Sequence, residues 1–169
     1  MSLYIPLFKA LNDADVHYVI VGGIATILHG YVRATADVDL VVDLQVAETS
    51  KVISVLTAEG FKPKIPVQAL EFADEKKREM WINEKGMQVF SMYHPDKIGM
   101  TIYLFVKQPI PFHDLYSRSV VMDLDGIKVR VCSIDDLITM KRQAGRLKDL
   151  ADIEQLTKIK EYEKDRSGE

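Results

Sequence analysis

The chain has 169 residues, 47% of them hydrophobic and 28% charged, which suits a single domain, or one domain with a small helical appendage, built on one core. A net charge of −3 and a pI near 5.8 exclude a broad basic footprint for nucleic acid, and no apolar run approaches the ~18 residues of a membrane helix. The single cysteine, Cys132, has no internal disulfide partner and no basic-then-apolar leader opens the chain, so a reducing cytoplasm is the expected compartment.

Residues 3–14 read as a helix with Leu3, Leu7, Ala10 and Leu11 on one side. The β-prone run 17–21 follows and stops at Gly22 and Gly23. Residues 24–29 form a short apolar helix closed by Gly30, and 37–43 alternate as a second strand. An amphipathic helix is expected over 46–59, then an ambiguous stretch at 65–80, a short helix running into a charged loop. Strands follow at 87–93 and 100–106. A hairpin is expected from 119–123 and 127–131 around Asp125 and Gly126. From Ser133, an N-cap followed by Asp135 and Asp136 in the first turn, the pattern becomes helical. Gly145 interrupts it, and a second helix is expected from Lys148 to about Lys160, with a charged tail that frays.

This order predicts an α/β (α+β) fold: a mixed sheet with helices packed on one face and a C-terminal helical pair. The expected organisation is a core over 1–132 and C-terminal helices over 133–169, forming a single domain overall.

Two features carry chemistry. Gly22 and Gly23, at a strand end leading into a helix, allow backbone N–H groups to approach an anion, although such a turn taken alone is more often a plain tight connection. Asp37 and Asp39, two apart on a strand, face the same side with roughly 7 Å between Cα atoms. They are either solvated aspartates or a ligand pair for Mg²⁺, which takes few protein oxygens and completes its shell with water and phosphate. Val38, Leu40, Val41 and Val42 make this strand largely buried, which favours the ligand pair.

The run Val21-Gly22-Gly23-Ile24-Ala25, then His29-Gly30, Arg33, Thr35 and Asp37-Val38-Asp39-Leu40 resembles small bacterial nucleotidyltransferase-like proteins of the DNA polymerase β superfamily, including relatives of abortive-infection toxins. Leu137 to Lys141, Gly145 to Asp149, and Asp152-Ile153 resemble the closing motif of the same group, so the likeness spans residues 17–157. The resemblance implies the nucleotidyltransferase fold. It also implies a glycine turn that holds a triphosphate, Asp37 and Asp39 as catalytic Mg²⁺ ligands, and transfer of a nucleoside monophosphate from an NTP, ATP first, to a hydroxyl on RNA, protein or a small molecule.

Gly22, Gly23, Arg33 and Lys141 are the expected nucleotide contacts. Lys141 stands on an otherwise apolar helical stripe with Leu137 and Ala144, either snorkelling from its edge or, as the resemblance implies, reaching phosphate oxygens. Arg146 and Lys148 are expected to pair with Asp149 or Asp152 on the surface. His29 caps its helix, sits in the core or takes part in the chemistry. His17, His94 and His113 have no metal-like spacing with Cys132.

The chain departs from the family at two positions. Tyr103 stands where a third carboxylate is expected, and a phenol is mostly neutral at pH 7. Gly23 stands where many relatives carry a phosphate-contacting serine. An alternative is therefore a catalytically impaired nucleotide-binding or regulatory module, such as one half of a toxin–antitoxin pair with a partner protein. Asp43 shares the face of Asp39 but lies roughly 13 Å along the strand, and Asp96 and Asp114 are expected in loops flanking the Tyr103 strand, from which they could fold in.

Overall fold

The computed structural model describes residues 2–167. A 3-10 turn (Ser2–Tyr4) leads into α1 (Ile5–Asp13), and β1 (Tyr18–Val21) runs directly into α2 (Gly22–Leu28). β2 (Asp37–Val42), α3 (Val46–Ala58) and the short β3 (Lys62–Pro63) follow, then a 3-10 segment (Ala69–Ala73) and α4 (Glu75–Lys85). β4 (Val89–Tyr93), β5 (Thr101–Phe105), α5 (Phe112–Arg118), β6 (Val120–Leu124) and β7 (Ile127–Val131) complete the sheet. The chain then forms α6 (Ile134–Ala144) and α7 (Leu147–Ser167).

The seven strands form one mixed sheet in the order β3-β4-β5-β2-β1-β7-β6. β1 pairs antiparallel with β2 and parallel with β7, while β2 pairs parallel with β5. This register puts Tyr18, Ile20, Val38, Leu40, Phe90, Met92, Ile102 and Leu104 on one face, all buried. Aromatic stacking of Phe8 on Tyr18, and of Phe72 and Trp81 on Phe90, seals that face beneath α1, the 3-10 segment and α4. Because strand residues alternate, Asp37, Asp39 and Tyr103 belong to the opposite face.

Four elements differ from the sequence expectation, one of them β3, whose two residues carry no strand pattern. α4 occupies part of the ambiguous 65–80 stretch, because Asp74 caps it by accepting from the N–H groups of Lys76 and Lys77, while only Arg78 and Trp81 are buried. A helix so charged on every side shows no apolar stripe. α5 covers a segment expected as loop, and α7 continues past Lys160 as a helix to Ser167, with the last two residues lying outside the described ones. Since α4 has little apolar periodicity, its cap carries weight. Asp74→Ala should cost about 1 kcal/mol of unfolding free energy, read as a shift in the urea midpoint at constant slope.

Among the described residues no helix is long and apolar enough to cross a membrane.

Candidate active site

The site lies where β1 ends and β2 and β5 begin. Tyr4, buried, anchors the start of both strands: its phenol donates to the carbonyl of Ala36 and accepts from the Thr101 N–H at 3.3 Å. Asp39 stands beside Val21 on β1 and opposite Tyr103 on β5, and Asp37 opposite Thr101. The two carboxylates therefore share one face at the mouth of the glycine turn.

Gly22 has φ +66°, and a Cβ there would lie 2.1 Å from Asp39 Oδ2. The turn thus approaches the carboxylate more closely than any other residue permits. Asp39 also accepts a hydrogen bond from the Gly23 N–H. Burial pushes the Asp39 carboxyl up to about 6, and the charge of Asp37 adds to this, against the Gly23 hydrogen bond and the positive charges of Arg146 and Lys141.

The missing serine at position 23 has a steric explanation. A Cβ on Gly23 would come 2.7 Å from Thr35 Oγ1, so the Thr35 hydroxyl occupies the space into which a residue-23 side chain would project. Thr35 belongs to the motif, but only the folded path of residues 30–36 reveals that its hydroxyl packs against Gly23.

Tyr103 is in register with Asp39, on the strand where the resemblance leads one to expect a third acid. Burial and the charges of Asp37 and Asp39 hold its phenol above its ordinary range, so it stays neutral, and Lys64 sits over its ring at 5.7 Å. Asp43, Asp96 and Asp114 do not replace it: among the described residues no three His, Cys, Asp or Glu side chains converge as a metal-binding group. Asp114 is on the exposed side of α5, and Asp43 lines a groove of about 660 Å³ with Arg78, Glu79 and Lys107. That groove is at the far ends of β2 and β5, and neither glycine nor Asp37 nor Asp39 lines it.

The C-terminal helices bring in the cations. Ser133 caps α6 by accepting from the Asp136 N–H, and Gly145 ends it in the left-handed conformation, turning the chain into α7. Lys141 is buried to 4% exposure and donates to Asp152 Oδ2 at 2.6 Å, with Asp149 Oδ1 at 3.9 Å. Arg33, from the loop before β2, bonds the same Asp152 oxygen. Arg146 grips Asp149 through two hydrogen bonds of 2.7 and 3.1 Å. The expected surface pairing of Arg146 is thus half right: the partner is Asp149, but that carboxylate is 1% exposed. Periodicity alone did not distinguish a surface pair from this buried one.

His29 ends α2 with Nε2 2.8 Å from the Cys132 carbonyl oxygen, and burial holds its imidazole below its ordinary range. It ties α2 to the segment before α6. Cys132 is buried, and burial drives its thiol up.

No family model and no curated protein matches the chain. Solved structures do. One is the lincosamide antibiotic adenylyltransferase LnuA in its lincomycin-bound form, with TM-score 0.60 and 16% identity over 90% of this chain and 93% of that one. Another is a candidate nucleotidyltransferase from Thermotoga maritima, with TM-score 0.58 and 12% identity over 93% of this chain and 91% of that one.

The fold is that of the nucleotidyltransferases.

Within the nucleotidyltransferase fold, both ends of the motif meet. The glycine turn and the aspartate pair come from the first quarter of the chain, and the Lys141–Asp152–Arg33 network joins the last two helices to the loop that feeds β2.

Proposed function

We propose that the chain is a Mg²⁺-dependent nucleotidyltransferase, moving a nucleoside monophosphate from an NTP, ATP first, to a hydroxyl acceptor. The observation that carries this reading is the placement of Asp37 and Asp39 on one face of β2, against the Gly22–Gly23 turn. Two carboxylates so placed suit one Mg²⁺, which fills its remaining positions with water and phosphate oxygens. Asp37 and Asp39 would hold it, with the Gly23 N–H favouring the charged form of Asp39. When bound, the ion neutralises phosphate charge and polarises the reacting phosphoryl group.

The chain's own residues then orient the reactants. The glycine backbone and the Thr35 hydroxyl line the phosphate side, with Arg33 and Lys141 as the cations behind them. The acceptor oxygen bonds to the α-phosphorus as its hydroxyl proton passes to solvent, the bond between that phosphorus and the α,β-bridging oxygen breaks, and pyrophosphate leaves. A small-molecule hydroxyl is the favoured acceptor, since LnuA, of the same fold, is a lincosamide antibiotic adenylyltransferase; RNA and protein hydroxyls are the other classes. With α-labelled ATP and Mg²⁺ in a cell extract separated into small molecules, RNA and protein, wild type should label one fraction and Asp39→Ala none above background. No labelling by wild type overturns active transfer.

Tyr103 favours a second reading. A neutral phenol opposite Asp39 neither accepts the acceptor's proton nor supplies a third charged ligand. The chain is then a regulatory NTP-binding module, as in one half of a toxin–antitoxin pair. This expects Mg²⁺-dependent NTP binding by calorimetry without turnover, and a gain of turnover in Tyr103→Asp.

A further inference from the structure

We propose that Arg146 is a triphosphate-binding residue and that Asp149 is the positioning residue that aims it; this rests on the nucleotidyl-transfer reading and adds a contact to it. The Arg146–Asp149 pair is one-sided. The Arg146 side chain is 57% exposed, while the Asp149 carboxylate gripping it is 1% exposed. The two hydrogen bonds use Nε and Nη2, so the guanidinium is held side-on and none of them uses its outer Nη1 edge. That is the geometry of a guanidinium fixed in direction and still able to bind a second anion, and planar bidentate donors match phosphate oxygens.

The surrounding charges point the same way. Arg33, Lys141 and Arg146 share two buried carboxylates, Asp149 and Asp152, leaving one positive charge in excess. Arg33 and Lys141 are tied to the same Asp152 oxygen, and Lys141 is almost wholly buried, so Arg146 is the most exposed of the three cations. The network abuts the aspartate pair through the loop that carries Arg33 and Thr35, the latter packed on Gly23. Arg146 and Asp39 feel each other's charge, and Arg146 acts on Asp39 more strongly than Lys141 does. An NTP carries more negative charge than one divalent ion neutralises, so an excess, exposed cation in the network that abuts the aspartate pair complements it.

Calorimetry with Mg²⁺ and α,β-methylene-ATP, repeated with AMP, tests the assignment. Arg146→Ala should weaken the triphosphate analogue about 10–100-fold, the range of a hydrogen bond to a charged group, and change AMP affinity less than about 3-fold. Arg146→Lys should recover part of the loss. Asp149→Asn should weaken the analogue in the same sense, and the double variant should bind no worse than Arg146→Ala alone, which a merely structural Asp149 would not produce. If Asp149→Asn does not fold, Arg146→Ala and Arg146→Lys, the latter keeping a positive charge beside the buried Asp149, decide without it. Wild-type affinity in Arg146→Ala, or equal losses for the analogue and AMP, overturns the assignment and leaves the transferase reading standing. If wild type binds neither nucleotide, the transferase reading falls and this assignment with it.

Discussion

Asp39→Asn should abolish transfer and at the same time make the nucleotide-free protein more stable. Burial and the neighbouring Asp37 charge raise the Asp39 carboxyl from 3.8 to about 6. The folded protein therefore holds this proton more tightly than the unfolded chain does. Its contribution to stability is greatest below about pH 4, declines as pH rises toward 6, and stays low beyond. Above pH 7 the ionised carboxylate costs on the order of 2–3 kcal/mol, at 1.36 kcal/mol per pK unit. Asparagine keeps an oxygen to accept from the Gly23 N–H and carries no charge.

Thermal melting at pH 8 should rise by roughly 4–10 °C in Asp39→Asn, and the gain should shrink toward zero as the buffer is taken down to pH 4. Labelled transfer at pH 8 should fall about 10³-fold or more, the several kcal/mol that a bound cation contributes. Mg²⁺ with NTP should stabilise wild type and leave the variant unmoved. In wild type, Mg²⁺-dependent NTP binding should strengthen as pH rises through about 6, because the proton and the cation compete for Asp39. A variant no more stable than wild type at pH 8 would mean that the carboxylate is not held at a cost, and the raised pKa would lose its meaning.

Which parts of the site were legible in the sequence depends on whether they are local patterns or products of packing. The glycine pair and the aspartate pair are local patterns: a strand that stops at glycine, and an alternation two residues long. Each can be read without knowing what packs above it. Tyr103 was singled out only through the family resemblance, and its register with Asp39 came from the parallel pairing of β2 and β5, which strand patterns alone do not give. The charge network was not legible either. Lys141, Arg33 and Arg146 are joined through Asp149 and Asp152 by the packing of α6, α7 and the loop before β2, and nothing in their spacing shows that both carboxylates are buried. The same limit hid α4, whose buried Arg78 donates to the carbonyls of Phe72 and Leu44, so that a residue that reads as surface sits in the interior. The sheet itself was more transparent, because β-branched and apolar alternation marks every strand but the two-residue β3.

Gly22→Ala should be the most damaging single methyl group in the chain. At φ +66° a side chain costs about 1–2 kcal/mol from backbone sterics alone. The new Cβ would also stand 2.1 Å from Asp39 Oδ2 and 2.7 Å from its Cγ, so the carboxylate must move. Overpacking of this kind adds about 1–3 kcal/mol, for a total near 2–5 kcal/mol in the denaturant midpoint. Gly126→Ala is the control: its φ is +85°, yet nothing lies within 4 Å of its Cβ, so only the backbone cost should appear. The difference between the two variants isolates the contact with Asp39. Adding Asp39→Ala to Gly22→Ala removes the two closest atoms, and the pair should be less destabilised than the sum of the single changes by about 1–3 kcal/mol. Function should not recover, because the oxygen that the glycine makes room for is the oxygen proposed to hold the cation. Additive losses would place the cost of Gly22→Ala entirely in the backbone, and the close approach of the turn to Asp39 would then have no energetic consequence.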